Sequence, residues 1–141
     1  MPTNMFVGIF ILVMAIPSGW LADRFGKKPL IALAGLSVAI GAGLVIMAPS
    51  LSLMYVGGSI VGAGVGLFYS ANWALGTELV PKEQAGRFLG IQNVSGAGAG
   101  AIGAYIGGTI ADNMSYVLLM SLYAIMALVS ILPLLGVREN R

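Results

Sequence analysis

Two groups of uncharged polar side chains interrupt otherwise apolar stretches, and they are where this sequence could do chemistry. Tyr69, Asn72 and Trp73 stand at i, i+3 and i+4, the spacing that gathers side chains on one helix face. Gln92, Asn93 and Ser95 open the next apolar stretch, at a similar distance from the polar turn between them. Carboxamides donate and accept hydrogen bonds, while the phenol and indole add flat apolar faces, so the chemistry open to such a set is recognition of an organic molecule. The alternative reading is that these groups bond neighbouring helices to one another. The chain has no histidine and no cysteine, which removes the commonest general base, the thiol nucleophile, disulfides and the usual metal-ligand sets. Its acids are Asp23, Glu78, Glu83, Asp112 and Glu139, and none falls inside an apolar stretch. A charge at mid-bilayer is unfavourable by at least about 2.5–3.5 kcal/mol and is usually functional when present. A proton-carrying carboxylate is therefore not expected here, and neither are an enzyme, a metal or a cofactor.

The elements that must position these groups are set by solvent. Of 141 residues, 58% are hydrophobic and 9% charged, and the mean hydropathy is +0.95, far from the roughly one-quarter charged composition of soluble domains. Stretches of about 20 residues without charge recur, the length that crosses a ~30 Å hydrocarbon layer at 1.5 Å per residue. Spans are expected at about 4–22, 29–48, 53–77, 88–111 and 116–137, giving an all-α, polytopic transmembrane bundle of five helices. Pro17, Ser18 and Gly19 predict a kink or an early helix end in the first span. No Lys or Arg precedes that span, so a cleaved signal peptide is not expected. A first span with almost nothing ahead of it suggests a piece of a longer protein.

The basic residues are Arg24, Lys27, Lys28, Lys82, Arg87, Arg138 and Arg141, and all fall in the first connection, the third connection or the tail. With five crossings those places share one face, which the positive-inside rule assigns to the cytoplasm. The pI near 9.2 thus reflects orientation in a membrane rather than a nucleic-acid surface. Small residues crowd the spans: Gly35, Gly41 and Gly43 in the second, Gly58, Gly62 and Gly66 in the third, Gly96, Gly100, Gly103 and Gly107 in the fourth. In lipid, where apolar contact between helices gains little over contact with a lipid tail, such stripes allow the close approach that holds a bundle together.

The first connection reads Gly19-Trp20-Leu21-Ala22-Asp23-Arg24-Phe25-Gly26-Lys27-Lys28. It resembles the loop motif of the major facilitator superfamily, G-x-L-A-D-R-x-G-R/K-R/K, and fills every defined position: Gly19, Leu21, Ala22, Asp23, Arg24, Gly26, Lys27 and Lys28. Gly19 and Gly26 are expected to allow a tight reversal, Asp23 to sit against a helix N-terminus, and the three cations to anchor at the lipid phosphate level. The segment from Glu78 to Arg87 is similar to the family's E-x-x-P-x-x-x-R-G-R, with Ala85 in place of the first arginine, leaving Arg87 as the expected basic partner of Glu78 or Asp23. The resemblance covers nearly the whole chain. It implies five of twelve helices, with helices eight to twelve and helices two to six as the competing placements. The span 53–77 lacks the embedded arginine expected in the N-terminal half, and Gly103-Ala104-Tyr105-Ile106-Gly107-Gly108 has Ala104 where the antiporter motif has proline, so the C-terminal placement is preferred.

The function so implied is transport of a small organic solute by alternating access in the plasma or inner membrane. Tyr69, Asn72, Trp73, Gln92 and Asn93 would line the cavity or its inner gate, and the lipid bilayer, the solute and the missing N-terminal half would be the partners. A non-transporting membrane scaffold is the alternative. Cysteines introduced at Ser50 and at Lys82 separate the faces: an impermeant maleimide added outside intact cells should label position 50 and not 82. The reverse pattern would overturn the arrangement of spans.

Overall fold

A computed structural model describes residues 2–136; Arg138 and Arg141 of the expected cytoplasmic tail lie outside the described residues. Among those described, the regular elements are all helical: α1 (Pro2–Phe25), α2 (Lys27–Ile46), α3 (Leu51–Leu79), α4 (Ala85–Asn113) and α5 (Tyr116–Val129), with short 3-10 turns at Lys82–Gln84 and Leu132–Leu135. Helices α1, α3 and α4 run past both apolar limits read from sequence, while α2 is shifted toward the N-terminus and ends at Ile46. Backbone groups at the membrane surface are still best satisfied within a helix, so Asp23, Arg24, Thr77 and Glu78 are wound into the last turns of α1 and α3. The reversal expected over 23–28 shrinks to Gly26, whose φ of 91° lies in the region that favours glycine.

Prolines shape two elements. Pro17 lies inside α1, whose halves Val7–Met14 and Pro17–Phe25 meet at 50°, as expected where a proline ring meets the preceding turn and leaves a carbonyl without its donor. Pro133 stands four residues beyond Val129, the last residue of α5, and the chain continues as a 3-10 turn rather than as the unbroken span expected to 137.

Helix α3 is the axis of the bundle, packed along both α1 and α2, and α5 packs on α2. The glycines explain how. A methyl group on Gly62 would stand 2.6 Å from the Val7 carbonyl oxygen, and one on Gly66 2.7 Å from that of Ile11, so α1 lies directly on the α3 backbone. On another face Gly57 and Gly64 meet the carbonyls of Gly41 and Ala34 of α2, each at 2.9 Å. Gly35 likewise meets the carbonyl of Ala127 in α5 at 2.7 Å. The core enclosed this way is small-residue and aliphatic: Ala22, Leu30, Ile31, Ala34, Leu67, Ala71 and Leu75. Large apolar side chains such as Leu12, Ile40, Ile102 and Met126 point outward, the inverse of a water-soluble protein and suited to lipid.

By length and apolarity, Lys27–Ile46, Leu51–Leu79 and Tyr116–Leu135 suffice to cross a membrane, and α1 makes a fourth if its two halves act as one span. Helix α4 is as long as α3, but glycine, Gln92, Asn93 and Ser95 dilute its apolar content. It touches α3 and α5 only sparsely. Its stripe does not do what the sequence suggested, since nothing lies within 4 Å of a methyl group built on Gly96, Gly100 or Gly103, and only Gly107 meets a neighbour, the Tyr123 hydroxyl at 2.9 Å. Glycine permits close approach without supplying the partner.

Gly62→Ala and Gly66→Ala should each destabilise the bundle by about 1–3 kcal/mol, because backbone has to move aside, whereas Gly98→Ala, which faces open space, should be neutral or slightly stabilising. Thermal unfolding in detergent micelles checks the contrast; equal effects at positions 62 and 98 would contradict it.

Candidate functional site

The short connections bring the C-terminal ends of α1 and α3 together with the N-terminal ends of α2 and α4, and most charged residues collect at this end. The motif divides into three jobs there. Leu21 and Ala22 belong to the packing: Ala22 is buried in the core and Leu21 packs against it. Gly26 makes the reversal, while Gly19 lies within α1, where a methyl group would be 3.9 Å from the Ser70 hydroxyl, so its role is proximity to α3 rather than turning. The charged members face outward or sideways. The Arg24 guanidinium lies 5.2 Å from the Trp20 ring and 5.7 Å from the Phe25 ring, a cation held among aromatics of the kind found at membrane surfaces.

Glu78 pairs with Lys27, Nζ to Oε2 at 2.5 Å, and not with Arg87. Lys27 begins α2, which packs along α3 and so reaches the carboxylate at the end of α3, whereas Arg87 lies beyond the 3-10 turn on α4 and is exposed. Both partners oppose a helix dipole, a cation at the start of α2 and an anion at the end of α3. Each offsets the unfavourable placement of the other. Their side chains are partly exposed, so the net contribution stays near the ~0–1 kcal/mol of surface pairs. Asp23 does not cap α2, whose N-cap is Gly26 without a side-chain hydrogen bond. Its carboxylate is exposed and, among the described residues, pairs with no cation. Lys28 is half-buried at the first turn of α2.

Farther along α3, Tyr69, Asn72 and Trp73 of α3 and Gln92, Asn93, Gly96 and Ala97 of α4 line one cleft of about 460 Å³. The structure thus brings the two polar groups together. Ser95 does not join them: at 100° per residue it turns away from the face carrying Gln92, Asn93 and Gly96, and it is exposed. No charged side chain lines the cleft. Tyr69 and Trp73 are exposed, at 67% and 44%. Among the described residues, Asn72, Gln92 and Asn93 make no hydrogen bond to another side chain or backbone group, so their amide donors and acceptors are available. Such a surface can hold an organic molecule by amide and phenol hydrogen bonds and aromatic stacking.

Two features were not found by sequence reading. One is the Lys27–Glu78 pair, whose signal was the wrong-way charge at each helix end. The other is Gly76, one turn beyond Asn72 and Trp73, over which the Gln92 carboxamide lies: a methyl group there would be 2.6 Å from Oε1 and 3.1 Å from Nε2.

Comparison with known proteins agrees with this architecture. No solved structure matches the chain. The minor myo-inositol transporter IolF of Bacillus subtilis is 33% identical over 90 residues, 64% of this chain and 20% of that protein. Myo-inositol transporter 2 of Schizosaccharomyces pombe is 37% identical over 78 residues, 55% of this chain and 14% of the relative. The multi-drug resistance efflux pump PmrA of Streptococcus pneumoniae is 32% identical over 114 residues, 76% of this chain and 28% of the pump. The matched segment is therefore well under a third of the length of these relatives. The family model of the major facilitator superfamily matches residues 4–141, essentially the whole sequence, and the chain belongs to that superfamily.

Proposed function

We propose that the full-length protein moves a small organic solute across the membrane by alternating access, and that this chain supplies one wall of the solute cavity, helices eight to twelve of twelve. The observation that carries the reading is the uncharged cleft between α3 and α4, in which Tyr69, Asn72, Trp73, Gln92 and Asn93 converge with their amide groups unspent. One wall is not a cavity. The opposing wall would come from the N-terminal half, and α4, which has few neighbours here and is the least apolar of the long helices, would be shielded by it as the fifth span of this chain. Relatives named for myo-inositol transport and for multidrug efflux both support a small organic solute. They do not choose between uptake and efflux.

The charged end, with Lys27, Lys28, Lys82 and Arg87, is assigned to the cytoplasm of a plasma-membrane protein. Asp23 there is exposed at the end of α1, and its carboxylate is the group offered to the other half in one of the two conformations. Losing such a contact shifts the balance of states, and a bias of about 1.4 kcal/mol is a tenfold shift. The Lys27–Glu78 pair ties α2 to α3 within this half and so moves with it as a unit.

Full-length protein in proteoliposomes should carry radiolabelled myo-inositol or ethidium saturably. Asp23→Asn should slow that transport several-fold while leaving the amount of protein in the membrane unchanged. Saturable transport of neither probe would contradict the function. Unchanged rates in the variant would contradict the role of Asp23.

A further inference from the structure

We propose that Gly76 is a positioning residue for the cleft: the missing side chain gives the Gln92 carboxamide a seat across α3, and that seat fixes one edge of the solute-binding wall. The proposal rests on the reading of the cleft as the solute site and adds a residue outside its lining. Glycine at position 76 is not there for backbone freedom, because its φ is helical and Gly26 alone among the described residues has a positive one. Inside a helix glycine is disfavoured against alanine by about 1 kcal/mol. What the position needs is absence of a Cβ.

Its surroundings differ from those of the packing glycines. Methyl groups on Gly35, Gly41, Gly57, Gly62, Gly64 and Gly66 would all strike backbone carbonyl oxygens, so those glycines set distances between helices. At Gly76 all three nearest atoms belong to the end of one flexible side chain, Oε1 at 2.6 Å, Nε2 at 3.1 Å and Cδ at 3.2 Å of Gln92. An added methyl group would displace the amide and leave the helices in place.

The displacement matters because little else fixes this edge. Helix α4 touches α3 sparsely; within the cleft Gln92 is half-buried, whereas Asn93, Gly96 and Ala97 are exposed. The Gln92 amide makes no hydrogen bond to another described residue, and its end lies in the space that a Cβ on Gly76 would occupy. Gly76 lies one helical turn past Asn72 and Trp73 toward the charged end, so the seated amide closes that end of the cleft.

The test uses the full-length transporter in proteoliposomes with radiolabelled myo-inositol and ethidium as probes, read as half-saturation constant and maximal rate. Gly76→Ala should raise the half-saturation constant of the transported probe about tenfold, the effect of losing one well-placed hydrogen bond, with the maximal rate within about twofold. Gln92→Ala should do the same, and the double variant should be no worse than Gln92→Ala alone. Gly43→Ala, a helical glycine facing open space, controls for the gain in helix propensity and should change neither constant. Additive effects in the double variant, or an unchanged constant in Gly76→Ala beside a raised one in Gln92→Ala, would overturn the positioning role alone. Unchanged constants in both Gln92→Ala and Asn72→Ala would overturn the cleft as the solute site, and the proposal with it.

Discussion

The rest of this structure depends on backbone-to-backbone approach at glycine. In lipid the burial of apolar surface gains little, because a lipid tail is as good a neighbour as a leucine. A helix bundle then needs dispersion contacts at short range, and α3 obtains them on two faces, with Gly62 and Gly66 against α1 and Gly57 and Gly64 against α2. Three helices are thereby fixed side by side, and α5 is added through Gly35. Large side chains are free to face outward, which in water would be an aggregation hazard and in a bilayer is solvation.

That rigid group and the loosely attached α4 suit different tasks. The first presents a fixed surface, Tyr69, Asn72 and Trp73, on the helix that is best held. The second brings Gln92 and Asn93 to the same cleft on the helix that is least held. The cleft thus lies between the best-held helix of this chain and the one with the fewest neighbours in it. The charged end contributes differently: Lys27 and Glu78 tie α2 to α3, while Asp23 and the exposed Arg87 are left facing outward from this half.

Much of this was legible in the sequence for physical reasons. Charge at the turns marks element limits because ions avoid hydrocarbon, and i, i+3, i+4 spacing places Tyr69, Asn72 and Trp73 together because helix geometry is fixed. What failed turned on which neighbour is present. Arg87 was expected to pair with Glu78 or Asp23, but which cation reaches the end of α3 is decided by which helix packs there, and that is α2 with Lys27. The glycines of α4 were expected to pack as a small-residue stripe like those of α2 and α3; a glycine records that approach is allowed and not that a neighbour is present. Ser95 was grouped with Gln92 and Asn93 by proximity in sequence, and helix rotation separates it from them. Gly76 escaped notice because its function lies in the side chain opposite.

The central claim is that the cleft between α3 and α4 is part of a water-filled path that opens alternately to the two sides of the membrane. Single cysteines at Asn72 and Asn93 in the full-length transporter, exposed to an impermeant maleimide from one side at a time, test it most directly. Labelling of both positions from either side, with transported solute slowing the reaction, is the predicted result. Labelling from neither side, with reaction only toward a lipid-soluble maleimide, would mean that the cleft faces the bilayer and that these side chains bind no transported solute.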